Sequence, residues 1–132
     1  MSKKTNMQQF DEITARVLVK LYESFPVPLS LDCLSLTESP EMDEFGEISS
    51  EAEICMCSLR WLGEEGYIKA AKFNSCYAID VVLTAKGLTA LKASPESLEY
   101  KQTLGERLVS AVNKDAINTA VGVVGLVLSG IK

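Results

Sequence analysis

The sequence predicts an α+β fold, mainly helical, with a small β-hairpin set between helices and a long helix at the end. Three observations carry this. Apolar residues recur at helical spacing in the first and last parts of the chain. Ser50-x-x-Glu53 and Thr103-x-x-Glu106 are capping-box patterns that mark helix starts. Two β-like runs flank Asn74-Ser75, the punctuation of a tight turn.

Phe10, Ile13, Val17 and Leu21 share one helical face, which predicts a first helix from about Asn6 to Ser24. Phe25-Pro26-Val27-Pro28 stops it, because each proline disfavours a helical residue before it. Leu29 to Leu36 is apolar enough for a short second helix. Thr37 to Glu53 carries Glu38, Glu41, Asp43, Glu44, Glu47, Glu51 and Glu53 and no basic residue, with Pro40 and Gly46 as breaks. That is the composition of an exposed acidic loop. It is a solvated segment or a docking surface for a basic partner, and Glu41, Asp43, Glu44, Glu47 and Glu53 are the candidate acidic contacts.

The third helix is expected to start at Ser50, with Ala52, Cys55, Leu59 and Leu62 on its core face. It ends at Gly66, which suits the left-handed residue of a helix C-terminus. Tyr67 to Phe73 and Cys76 to Leu83 form the hairpin, and Thr84 caps a fourth helix with Leu88 and Leu91 inward. Ala93-Ser94-Pro95 reads as a domain edge. The expected organisation is a domain over 1–94, a linker over 95–103 and a C-terminal association helix over 104–132.

Leu59-x-Trp61-Leu62-x-x-x-Gly66-Tyr67-Ile68, followed by Leu83-Thr84-x-x-Gly87-x-x-x-Leu91, resembles small bacterial winged-helix proteins. The resemblance covers roughly residues 8–93. It implies three helices, a β-hairpin wing and a following helix. In DNA-binding members the third helix enters the major groove, where its exposed face needs donors for base edges and phosphates. The expected exposed stripe here is Ser49, Glu53, Met56, Arg60 and Glu64, which is acidic on balance. Acids facing phosphate repel it and forfeit counterion release. Arg60, Lys69, Lys72 and Asn74 are the candidate nucleic-acid contacts and make a thin grip. Trp61, one turn before the helix end, is expected in the core or a hinge.

From Leu104 to Ser129 a continuous helix would run about 39 Å. Its second half, from Ala116 to Ile131, carries no charge and is apolar over most of its circumference. Asn118, Gly122, Gly125 and Ser129 form the remaining strip. Such a helix has to be covered on more than one side. It pairs with a second copy, folds back on its own domain, or meets a membrane or a larger assembly. The sequence favours a homodimer, with Leu108, Val112, Ile117, Val121, Val124 and Leu128 as the association face. Spanning a bilayer is disfavoured, since 16 uncharged residues fall short of the roughly 20 required.

The chain has 132 residues and a net charge of −5, a balance that leans away from a dedicated nucleic-acid binder. There is no histidine, which removes the commonest general base and every His-activated nucleophile. No glycine-rich phosphate loop is present. Cys55 and Cys57, two apart in a helix, face nearly opposite ways, and Cys33 and Cys76 stand alone, so buried free thiols are expected rather than a zinc site. The expectation is therefore a non-enzymatic protein with no metal or cofactor. It acts through protein association, or alternatively as a winged-helix DNA-binding regulator, or as a membrane-associating protein through its apolar end. With no apolar run behind Met1-Ser2-Lys3-Lys4-Thr5-Asn6, the expected compartment is the cytoplasm, where thiols stay reduced.

Overall fold

A computed structural model describes residues 4–37, 46, 49–74, 77–94 and 102–129. The fold is α+β and mostly helical. The elements are α1 (Asn6–Ser24), β1 (Leu29–Asp32), α2 (Cys33–Thr37), α3 (Ser50–Glu64), β2 (Ile68–Lys69), β3 (Lys72–Phe73), β4 (Tyr77–Leu83), α4 (Ala85–Lys92), α5 (Leu104–Asn113) and α6 (Ile117–Ser129).

The first helix has the expected limits. Thr5 and Gln8 form a reciprocal capping box at its start, and the Phe25–Pro26 peptide after it is cis. Its burial exceeds one face. Ile13, Thr14 and Ala15, then Val17, Leu18 and Val19, then Leu21 are all buried. At 100° per residue these positions sweep well over half of the circumference. Such a helix needs cover on two flanks: α3 supplies one, and α5 and α6 supply another.

The expected second helix over Leu29–Leu36 is replaced by β1 followed by the single-turn α2. The reason is local. Asp32 accepts from the Ser35 N–H at 2.7 Å and from the Ser35 hydroxyl at 2.8 Å, so the helix starts only after it. The residues before Asp32 then pair in the sheet. The Arg16 guanidinium donates to the Leu36 carbonyl (2.7 Å) and satisfies the other end of α2.

Strand order is β1-β4-β2, with β3 also on β4, all antiparallel. Leu29 faces Val81 and Leu31 faces Ala78, so Ile79 and Asp80 oppose Ser30 alone. Asp80 takes up this bulge with φ +53, a conformation that aspartate tolerates better than most residues.

The cap of the third helix lies one residue before the serine of its Ser50-x-x-Glu53 pattern. Ser49 is the cap and accepts from the Ala52 N–H at 3.1 Å. Ala52, Cys55, Leu59 and Leu62 are buried as expected. At its end Gly66 (φ +86) is left-handed. Gly66 N–H bonds the Gly63 carbonyl (3.1 Å) and Tyr67 N–H the Leu62 carbonyl (2.9 Å), a Schellman closure.

The long C-terminal helix does not form. It breaks at Lys114–Ala116 into α5 and α6. Asp115 is left-handed (φ +57), Asp115 N–H bonds the Val112 carbonyl (3.1 Å), and Ala116 N–H bonds the Ala111 carbonyl (2.8 Å). This is the same closure as at Gly66, with aspartate in the glycine position. The turn folds α6 back along α5 and onto α1. Leu104 N–H donates to the Ala93 carbonyl (2.8 Å) and ties α5 to the end of α4. The Tyr67 hydroxyl donates to the Leu128 carbonyl (3.1 Å) and ties α6 to the root of the hairpin. One core cluster takes in residues from α1 through α6.

Two glycines make opposite predictions. A Cβ at Gly87 would sit 2.1 Å from the Tyr67 carbonyl oxygen, so the α4–hairpin contact needs a bare Cα. Gly87→Ala is expected to cost about 1–3 kcal/mol. Nothing lies within 4 Å of a Cβ at Gly122 on α6, so Gly122→Ala is expected to gain about 0.8–1 kcal/mol from helix propensity. Urea denaturation measures both. A third prediction concerns Asp32, whose carboxyl is held below the ordinary value by the Ser35 N–H and hydroxyl. A lowered folded-state pKa contributes stability above the unfolded pKa of about 3.9 and loses it as pH falls through the folded value. Asp32→Ala is expected to cost about 1 kcal/mol near neutral pH. Its deficit against the parent should close as pH is taken below 4, which a denaturation series against pH reads directly.

Candidate functional site

The outward side of α3 forms one wall of a surface groove, and the first turns of α1 form the other. The groove holds about 680 Å³ and is lined by Asn6, Met7 and Phe10 from α1 and by Ser50, Glu53, Ile54, Cys57, Ser58 and Trp61 from α3. Its walls are set by the two helix starts. The Thr5–Gln8 box fixes the first turn of α1, and the Ser49 cap fixes that of α3. The edge of one ring meets the face of the other where Phe10 packs on Trp61, with centroids 5.4 Å apart and planes at 88°. That is the favoured geometry of an aromatic pair. The Ser58 hydroxyl is turned back onto the Ile54 carbonyl (2.7 Å), which leaves its neighbourhood less polar than its name suggests. Met7 is 65% exposed and Trp61 40% exposed. Among the described residues, Glu53 is the one charged residue of the lining.

The expected stripe on α3 shifts by part of a turn. Met56 and Ser49 are buried, while Glu53, Cys57, Arg60, Trp61 and Glu64 are exposed. Trp61 belongs to the surface, with Phe10 as its support, and is not a core residue. Sequence reasoning missed the groove because it searched α3 for donors. The signal was present: Ile54, Cys57 and Trp61 form a second apolar stripe beside the core stripe of Cys55, Leu59 and Leu62.

Arg60 is exposed on α3, and Lys69 and Lys72 are exposed on the hairpin. Asn74 is half-buried at the hairpin turn, where its N–H donates to the Tyr77 carbonyl at 2.8 Å. The structure thus brings Lys69, Lys72 and Asn74 onto one hairpin, with Arg60 on the neighbouring helix. Of the expected acidic contacts, Glu53 stands in the groove. Glu41, Asp43, Glu44 and Glu47 lie outside the described residues. Of the expected association face, Leu108 and Val124 are fully buried in the chain's own core. Val112, Ile117 and Leu128 are half-buried against it, and Val121 is half-buried without packing on that core. The outer strip of α6 is Asn118, Gly122, Gly125 and Ser129, all exposed.

Cys33 and Cys55 are buried as expected, but Cys57 is exposed, because its place two residues after Cys55 turns it to the outer face of α3; Cys76 lies outside the described residues. A hydrogen bond with Cys33 and burial push the Cys55 thiol well up, so Cys55 stays protonated and packs as a small apolar group. Burial also raises the Asp11 carboxyl. Among the described residues no group of three or more His, Cys, Asp or Glu side chains is placed to hold a metal ion. Among them, too, no helix is long and apolar enough to cross a membrane. No protein-family model matches this chain, and neither the curated proteins nor the solved structures give a significant match.

The groove makes a chemical prediction. Cys57 is expected to react with an aromatic disulfide reagent in native buffer, whereas Cys33 and Cys55 react only on unfolding. Cys57→Ser should lower the native-state thiol titre, and Cys33→Ala or Cys55→Ala should leave it unchanged. Attachment at Cys57 should also quench the emission of Trp61, the chain's single tryptophan.

Proposed function

We propose that the chain is a non-enzymatic winged-helix module of the cytoplasm that works by binding another protein, with the α1–α3 groove as its contact surface. The order α1, α2, α3, hairpin, α4 supports the winged-helix part, since it follows the order the resemblance implies. The observation that carries the functional part is the character of the outward face of α3. It presents Ile54, Cys57 and Trp61 beside Met7 and Phe10, an apolar and aromatic surface where a duplex-binding helix would need donors. A partly exposed tryptophan supported by a second ring and rimmed by polar groups is the kind of anchor that dominates protein interfaces. The absence of histidine and of a phosphate loop in the sequence supports the non-enzymatic part.

The homodimer through the C-terminal segment has a narrower basis than the sequence suggests. Leu108 and Val124 are covered within one chain, so a second copy would meet α6 on its small-residue strip, on Thr119 and on the edges of Ile117, Val121, Leu126 and Leu128. DNA binding keeps one specific argument, the exposed Arg60, Lys69 and Lys72. Glu51, Glu53 and Glu64 are exposed on the same α3, and each weakens phosphate contact.

Fluorescence anisotropy with a labelled random duplex separates the readings. At low salt the protein-binding reading expects no retention. The DNA reading requires retention that falls steeply with salt, by a log–log slope of about 0.9 per phosphate neutralised, and that drops further in Arg60→Glu or Lys72→Glu. Light scattering on the full chain reads the dimer: a dimer lost in Val121→Lys would assign the α6 strip to self-association.

A further inference from the structure

We infer that the occupant of the α1–α3 groove is a basic amphipathic helix of a partner protein, an inference that rests on the protein-binding reading above. The shape of the groove argues for a helix. Ser50, Ile54, Cys57 and Trp61 follow one another at spacings of four, three and four along α3. That average of about 3.7 stays close to the 3.6 residues of a helical turn and keeps the four positions in one row, a seam along which a second helix can lie. The seam runs about 16 Å along the axis, which matches an occupant with apolar anchors at i, i+3 or i+4, and i+7. A small molecule fits less well. Walls as exposed as Met7 at 65% and Trp61 at 40% do not enclose the 70–90% or so of a ligand's surface that small-ligand sites bury.

The charge of the rim argues for a basic occupant. Glu53 lines the groove, and Glu51 and Glu64 are exposed on the same helix, against Arg60 alone. The sequence running up to Ser49 is acidic as well, with Glu38, Glu41, Asp43, Glu44 and Glu47 and no lysine or arginine. A second copy of the chain would bring the same acids against these, at a net charge of −5 on each side. A helix with lysine or arginine beside its apolar stripe meets them with opposite sign. Exposed pairs of this kind are individually weak, so they select and steer the partner while the apolar seam holds it.

The test uses the full chain and three tryptophan-free synthetic peptides, read by Trp61 emission. The first is an 18-residue helix with leucines at i, i+3/i+4 and i+7 and lysines flanking them. The second has the same composition in scrambled order. The third keeps the leucine stripe and replaces lysine with glutamate. The expected result is a saturable blue shift with the first peptide alone, weakened at least about threefold by Glu53→Lys and abolished by Cys57→Lys. Both substituted positions are exposed, and circular dichroism checks that the variants stay folded. Equal response to the scrambled peptide, or preference for the acidic one, overturns the inference. Preference for the acidic helix would still leave the groove a protein-docking site. No response to any peptide, with Trp61 emission unchanged on adding duplex DNA as well, overturns both the inference and the reading beneath it.

Discussion

The structure depends on covering α1 from two flanks. Its buried positions from Ile13 to Leu21 occupy far more than one helical face, and a helix in that state is stable only with packing partners on both sides. On one flank lies α3, which Phe10 meets through Trp61. On the other lie α5 and α6. There Gly105 leaves room for the Tyr22 ring, which would stand 2.7 Å from a Cβ at that position. Removing the C-terminal helices would uncover the flank of α1 that carries Val19 and Tyr22 and strip the core of Leu104, Leu108 and Val124. The C-terminal segment is thus part of what makes α1 a possible helix.

This explains why the sequence alone suggests one long, outward helix at the end of the chain where the structure has α5 and α6. The pattern Phe10, Ile13, Val17, Leu21 describes one stripe correctly, and the stripe alone suggests that α1 has a wet back. With α1 treated as one-sided, the apolar α6 has nothing in its own chain to cover and a second copy is recruited to cover it. The intervening Ala15, Leu18 and Val19 carried the missing information. From Ile13 to Leu21 they make the α1 pattern nearly continuous, with Arg16 and Lys20 as its charged breaks, and α6 is the matching surplus of apolar surface.

The two helix ends show the same limit in backbone terms. Gly66 and Asp115 perform one task, a left-handed residue closing a Schellman motif. Gly66 was legible because glycine bears almost no cost there and is the common choice. Asp115 was hidden because aspartate occurs at exposed helix positions for many reasons, and nothing in Lys114-Asp115-Ala116 forces a break. The short β1 was hidden in a similar way. Leu29-Ser30-Leu31 alternates as a strand does, but it is too brief to decide between periods before the Asp32 cap is seen. By contrast, Thr5, Thr84 and Thr103 each cap a helix where the local sequence points, because a cap is decided within four residues.

The groove lies between these extremes, and it shows how a surface can be built by excess support. On α3 the stripe of Ala52, Cys55, Leu59 and Leu62 already anchors the helix to the core. Ile54, Cys57 and Trp61 add a second apolar stripe that folding does not need to the same degree. Apolar area left in water costs roughly 25 cal/mol for each Å² that a partner would otherwise cover. A tryptophan kept at 40% exposure therefore holds back free energy that only an added surface can release. Phe10 keeps the Trp61 ring upright, so less conformational freedom is lost when that surface arrives. The acids on the same helix then act on which surface arrives, since they oppose phosphate and a second copy of this chain while attracting lysine and arginine. Position, rigidity and charge along α3 are the grounds on which a basic amphipathic helix is proposed as its partner.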